Sequence, residues 1–435
     1  MSNACTVQIF HENKWHDAAF TELTDGPDSG WKAPTRFGYD ANWALEHRAR
    51  RDACAVSAAV PVGIDLEWHN AWPAFLIDLL PQGFGRDKLL PHLGLSVAAE
   101  AAADWRLLCA GAGSPIGNMR VKEAADWLVS NQVRLPGFTD HQVCGHDADF
   151  IEYLTQSDAL MFSSGAQGEW PKAMLTRDRA GLLHLDHALP DSEAAAHYIV
   201  KFNPKNSPER TQAIFDCEAP YMEFARGLGL FVHAPLQQKH RALFIPRFDR
   251  AVTEDGLALR HGQESIASLT GRAGFEDVPP HEEVCQALHD LCSDGYFSIL
   301  EYIRRDVANL ALKNTDNHAR NTAIQRRADG YIGLTPLFDF APMSMHPASI
   351  SRRMRWGENL ETGGRPDWCA VVEWITAEVF QSAELGAKLR ADLLAMVPRL
   401  EALHATLAGT TLPLANVAQV RYAVLAQMDA LSRLM

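Results

Sequence analysis

NTDNHARN, residues 314–321, sets three Asn, an Asp, a His and an Arg within eight positions. It follows RRDVANLAL (304–312), whose apolar spacing reads as a buried helix. Asn and Asp favour turns for backbone reasons alone. On its own the octet therefore reads equally as a surface turn or as a loop that carries chemistry. The elements around it separate the two.

The chain has 435 residues, 47% of them apolar and 22% charged, the composition of an ordinary globular protein too long for one core. Its net charge of −14 opposes non-specific nucleic-acid binding by the chain as a whole, although SRRMRW (351–356) offers a local basic patch. Eight cysteines are scattered without a C-x-x-C pair, a spacing that supports neither a zinc site nor a disulfide framework. The first twenty residues lack a basic and then apolar leader, and no run approaches 18 apolar residues. These features lead us to expect a cytoplasmic protein with reduced thiols.

CTVQIFHENKWHDAAFTEL (5–23) alternates like a hairpin turning at HENK. ALEHRARRDACAVS (44–57) and DWRLLCAGAG read as helices, and IGNMRVKEA as a strand. An α+β segment is thus expected over 1–150. KAMLTRD, LLHLDHAL, AHYIVKFN, LFVHAPLQQ and RALFIPRFD are short β-rich runs interrupted by one helix, IFDCEAPYMEFARGLGL (214–230), giving a β-rich segment over 151–255. Helical patterning dominates 256–435. A β-rich lobe with one embedded helix followed by a helical lobe is the layout of protein-kinase-like folds.

Phosphoryl transfer from ATP needs donors and a lysine for the phosphates, oxygen ligands for Mg²⁺, and a carboxylate at the acceptor hydroxyl. In the octet, Asp316 is followed five residues later by Asn321, the spacing of a kinase catalytic loop. YIGLTPLFDFAPM (331–343) then supplies Asp339, a hard oxygen ligand of the kind Mg²⁺ takes. A metallohydrolase edge with His318 as ligand is the competing reading of the loop, and a turn cap before Pro342 the competing reading of Asp339. Upstream, SSGAQGEWPK (163–172) is small and flexible enough to bring backbone N–H groups to phosphates. Lys201 stands in the apolar run YIVKF, where a lysine either reaches a buried anion or snorkels from an edge strand. Glu218 on the following helix pairs with such a lysine or sits on a solvated face.

Taken in order, these segments resemble the HipA-type serine/threonine kinases, the toxin half of bacterial toxin–antitoxin pairs. LLPQG (79–83), IGNMRV (116–121), GEWPK (168–172), IVKF, RFDR (247–250), HGQES (261–265), NTDNHARN and LFDFAP carry the resemblance, which covers most of the chain. RFDR and D-x-H-x-x-N are its specific motifs. The resemblance implies a protein-kinase-like α+β fold and an ATP- and Mg²⁺-dependent kinase acting on Ser or Thr of a cellular protein. By position, Asp316 is the catalytic carboxylate, and Asn321 and Asp339 hold Mg²⁺. His318 and Asn321 line the nucleotide phosphates, and Gly168 and Lys172 belong to the phosphate loop. Lys201 binds ATP, and backbone groups at Arg247 and Phe248 hold adenine. Ser163 or Ser164 is the implied autophosphorylation site. The implied partner is a helix-turn-helix, HipB-like antitoxin, through which any DNA contact is made.

Two departures stand out. The phosphate loop is longer than the family pattern, with Trp170 before Pro171, and the acidic residue that usually precedes RFDR is Pro246, which lacks an N–H. The irregular phosphate loop keeps open a non-catalytic, pseudokinase-like binding subunit, against which Lys201, Asp316, Asn321 and Asp339 stand intact. A metal-dependent nuclease or hydrolase would require a denser His or carboxylate cluster than the motifs offer.

Overall fold

The computed structural model describes residues 2–96, 101–114, 116–130, 137–145, 150, 171–204, 206–253 and 257–435. Gly168, Ser163, Ser164 and Trp170 lie outside the described residues, as does all of the phosphate loop before Pro171. The chain forms two compact units. One holds Met1–Pro204, Leu236–Glu264 and Gln325–Tyr331, and the other Lys205–Pro235, Ser265–Ile324 and Ile332–Met435. Compactness thus divides the chain otherwise than the three successive segments read from its order. The helix Glu209–Gly227 falls in the second unit, where Tyr221 Oη donates to the Leu312 carbonyl at 3.2 Å.

The first unit contains two five-stranded antiparallel sheets. One runs β4-β3-β2-β1-β5, with β1 Ala4–His11, β2 Lys14–Leu23, β3 Thr35–Tyr39, β4 Glu67–His69 and β5 Met119–Val121. The expected hairpin forms because Glu12 and Asn13, between paired His11 and Lys14, both take positive φ (47° and 63°). Such a two-residue turn matches the strand twist. The second sheet runs β7-β6-β8-β10-β9, with β6 Lys172–Asp178, β7 Leu183–Leu185, β8 Ala194–Phe202, β9 Gln237–Lys239 and β10 Ala242–Pro246. Its inward positions Leu175, Val200, Phe202 and Phe244 pack with Phe138, Val143 and Phe150 in one apolar cluster.

Two expectations fail locally. LFVHAPLQQ is not a strand until Gln237. The stretch 44–57 is helical only as far as Glu46. Beyond it, buried Arg326 donates to the carbonyls of Asp52, Ala55 and Val56, and Asp52 accepts from the Cys54 N–H. Those hydrogen bonds tie this stretch to a side chain from elsewhere in the unit.

The second unit is mainly helical, with Gly295–Ala311 at its centre. Asp294 starts that helix by accepting the Phe297 N–H at 2.8 Å. Ile299, Leu300, Ile303, Val307 and Ala308 bury one face of it. Each large aliphatic side chain so buried contributes about 1.5–3 kcal/mol. Glu301 and Arg305 are also buried on this helix, and they matter for the site. All eight cysteines are free, and no helix among the described residues is long and apolar enough to cross a membrane.

Candidate active site

The octet is both a turn and a constellation of polar groups. The helix Gly295–Ala311 stops at Leu312, and Lys313 reverses the chain with φ at 57°. Asn314 then folds back, with its N–H donating to the Asn309 carbonyl and its Nδ2 to Asn309 Oδ1, both at 2.9 Å. Its own Oδ1 accepts the Asp316 N–H at 3.3 Å, an Asx turn that fixes the backbone ahead of the carboxylate. Asn321 closes the loop: Nδ2 donates to the Asp316 carbonyl at 2.8 Å, and its N–H to the His318 carbonyl at 2.9 Å. With Nδ2 spent inward, Oδ1 is the atom Asn321 has for a ligand.

His318 Nδ1 accepts the Arg320 N–H at 3.2 Å, which leaves the ring proton on Nε2, 3.6 Å from Asp316 Oδ1. Burial holds this histidine below its ordinary pKa, against the pull of Asp316 and Asp339 toward the charged form.

Asp316, Asn317, His318, Asn321 and Asp339 line one pocket in the second unit. Asp339 holds φ at 53°, a left-handed conformation rare for a residue with a side chain and found most often at turns and functional sites. Asn317 Oδ1, buried in the same pocket, has no hydrogen-bond partner among the described residues. An orphaned amide oxygen, the Asp339 carboxylate and Asn321 Oδ1 are hard oxygen donors, and the set fits Mg²⁺ rather than a soft metal.

The segment leading to Asp339 is braced by charges that the motif reading passed over. Arg305 donates to Glu301 at 2.9 Å and to the Thr335 carbonyl at 2.6 Å. Glu301 accepts the Phe231 N–H, and the Phe231 carbonyl accepts the Leu337 N–H. The signal in sequence was a Glu and an Arg four apart on the apolar face of a helix. SRRMRW proves not to be a free basic patch. Arg352 is buried against Asp306 and Glu361, Arg355 pairs with Glu361, and Arg353 with Glu276.

The remaining expected residues lie in the first unit. Lys201 is buried in β8, the central strand of its sheet, in register with Lys172 on β6. The snorkelling edge-strand reading therefore fails, and two cationic side chains share one face. Glu218, in the second unit, is also buried, which rules out a solvated face. RFDR is a closed ion network: Arg247 reaches Asp249 at 2.6 Å and Asp186 at 3.2 Å, and Arg250 reaches the same Asp249 at 2.8 Å. The Arg247 N–H donates to the His197 carbonyl, and the Phe248 carbonyl accepts from Gln325 Nε2 at 3.0 Å. Two of the backbone groups expected to face adenine are thus already engaged.

Comparison with known proteins places the chain in a family. The family model described as the HipA-like C-terminal domain matches residues 163–402, more than half of the chain, and the protein belongs to that family. Its fold is α+β, similar to that of HipA of Shewanella oneidensis MR-1, solved with HipB and its operator DNA. That likeness has a TM-score of 0.60 at 15% identity and covers 98% of this chain and 96% of that one. The Helicobacter pylori proinflammatory kinase CtkA aligns over 55% of this chain and 87% of its own at 15% identity. Its TM-score of 0.31 is too low to bear on the fold. A search of curated proteins finds no match.

Proposed function

We propose that this protein is an ATP- and Mg²⁺-dependent serine/threonine protein kinase of HipA type, the toxin of a toxin–antitoxin pair. The observation that carries the proposal is the single pocket lined by Asp316, His318, Asn321 and Asp339, with Asn321 clasping the loop that bears the carboxylate. In this reading Asp316 orients a Ser or Thr hydroxyl of the protein substrate and accepts its proton. His318 Nε2 stands 3.6 Å from Asp316 Oδ1, close enough to act on that carboxylate through its dipole rather than a hydrogen bond. Asn321 Oδ1 and Asp339 would hold Mg²⁺, which when bound offsets charge on the phosphate oxygens. Lys201 contributes a fixed positive charge to the nucleotide, and Lys172 ends the phosphate loop. Autophosphorylation is assigned to Ser163 or Ser164. Family membership supports a helix-turn-helix, HipB-like antitoxin as partner, with DNA reached through it.

The test is Asp316→Asn, which keeps shape and removes the base. Incorporation of labelled phosphate from ATP into protein should fall about 10²–10⁴-fold, as on loss of a positioned catalytic group. Nucleotide binding should persist and toxicity on overexpression should disappear. A variant that transfers phosphate at the wild-type rate would overturn the assignment. A variant that stays toxic while wild type shows no transfer would leave a binding subunit.

A further inference from the structure

His11 meets His47 and Cys54, two residues of a later segment, in the first unit. His11 ends β1, His47 closes the helix Ala41–Glu46, and Cys54 lies in the loop beyond it. One nitrogen of each ring and Cys54 Sγ all lie within 4.8 Å of one another, and Sγ is 3.8 Å from His11 Nδ1. Tetrahedral zinc, at about 2.0–2.1 Å from nitrogen and about 2.3 Å from sulfur, spaces N and S ligands about 3.6 Å apart and two nitrogens about 3.4 Å apart. The Cys54–His11 separation of 3.8 Å is already near that value. We infer that His11, His47 and Cys54 form a binding site for a zinc-class divalent cation, with the fourth position left to solvent.

The surroundings hold the ligands in place. The Trp43 indole N–H donates to the Cys54 carbonyl at 2.9 Å, and Asp52 accepts the Cys54 N–H at 3.1 Å. Arg326 clamps the carbonyls on either side of Cys54, so the loop cannot carry the thiol away. The His47 ring packs 4.0 Å from Trp43 and edge-on to His11 at 5.2 Å. Asp52 is committed to Arg50 through two oxygens, which removes it as a competing ligand. Burial keeps both histidines below their ordinary pKa and hence in the neutral form that binds metal. The same burial pushes the Cys54 thiol up to about 12, so cation binding displaces that proton. Each ligand comes from a different element, and a bound cation would tie strand, helix and loop together independently of phosphoryl transfer.

The experiment is titration of chelator-stripped, full-length protein with Co²⁺, followed by Zn²⁺. The site predicts one equivalent of Co²⁺ giving a thiolate-to-cobalt charge-transfer band and the intense visible bands of tetrahedral cobalt, both erased by Zn²⁺. Cys54→Ser should abolish the charge-transfer band, and His47→Gln should weaken Co²⁺ binding at least about tenfold. A wild-type protein without the band overturns the site, as does a band that survives in folded Cys54→Ser. Should Cys54→Ser not fold, His11→Gln decides: unchanged Co²⁺ affinity in that variant overturns the site equally.

Discussion

RFDR in the first unit and NTDNHARN in the second are the two most specific motifs of this chain, and the structure treats them in opposite ways. Arg247 has a fully buried side chain and Asp249 is 3% exposed, both committed to an internal ion network. Asp316 is 25% exposed and His318 34%, and both line a pocket. The first motif spends its charges on holding β10 and its neighbours together. The second spends its amides on the loop and turns a carboxylate outward. A motif rich in charge can therefore mark architecture as readily as chemistry, and the partners of each charge decide which.

Removing one member of the closed network should have the largest effect on stability. Asp249→Asn leaves Arg247 and Arg250 buried without their shared counter-charge, and breaking such a pair costs about 3–5 kcal/mol. Chemical denaturation of Asp249→Asn beside Asp316→Asn checks the contrast: the first should lose most of the unit's stability and the second almost none. Equal losses would mean that the octet is as architectural as RFDR.

The same network makes a statement about pH. The Arg247 and Arg250 guanidiniums hold the Asp249 carboxyl well below the usual carboxylate range, and Arg247, His197 and Arg250 do the same for Asp186. A carboxyl with a depressed folded pKa contributes stability above its unfolded value of about 3.9 and loses it as pH falls toward the folded one. Acid unfolding should therefore begin below about pH 4 and steepen downward, and the Asp249→Asn profile should be flatter in that range. A wild-type profile flat from pH 5 to 2 would contradict the network's role.

Intermediate in size is the effect of Lys201→Met, which keeps the buried stem in β8 and deletes its charge. A charge-assisted contact is worth about 1.5–3 kcal/mol, so ATP affinity measured by calorimetry should weaken roughly ten- to a hundredfold. Unchanged affinity would place Lys201 with RFDR among the architectural charges. The smallest effect belongs to Asp294→Ala, which removes the cap of the helix that delivers the octet and should cost about 1 kcal/mol in thermal unfolding. Phosphoryl transfer should survive that change, because the loop is fixed by Asn309, Asn314 and Asn321 at the other end of the helix.

Much of this was legible in the sequence because it is local. Alternation in 5–23 and 172–178 set strands, apolar spacing in 296–312 set a helix, and the Asn-rich octet set its own turn through hydrogen bonds spanning two to five residues. Each depends on periodicity or turn chemistry among near neighbours, which the sequence displays directly. The order of the motifs was enough to indicate the family. What tertiary structure alone decided were the partners of charged and ligating side chains. Asp186 and His197 enclose RFDR, Glu301 and Arg305 brace the approach to Asp339, and Arg326 holds the carbonyls of the non-helical stretch beyond Glu46. His11, His47 and Cys54 meet although no spacing rule links them. Most of these groups gain partners well outside their own segment, as Arg326 does at Asp52, and Coulomb and hydrogen-bond energies depend on distance in space, which composition and spacing do not encode.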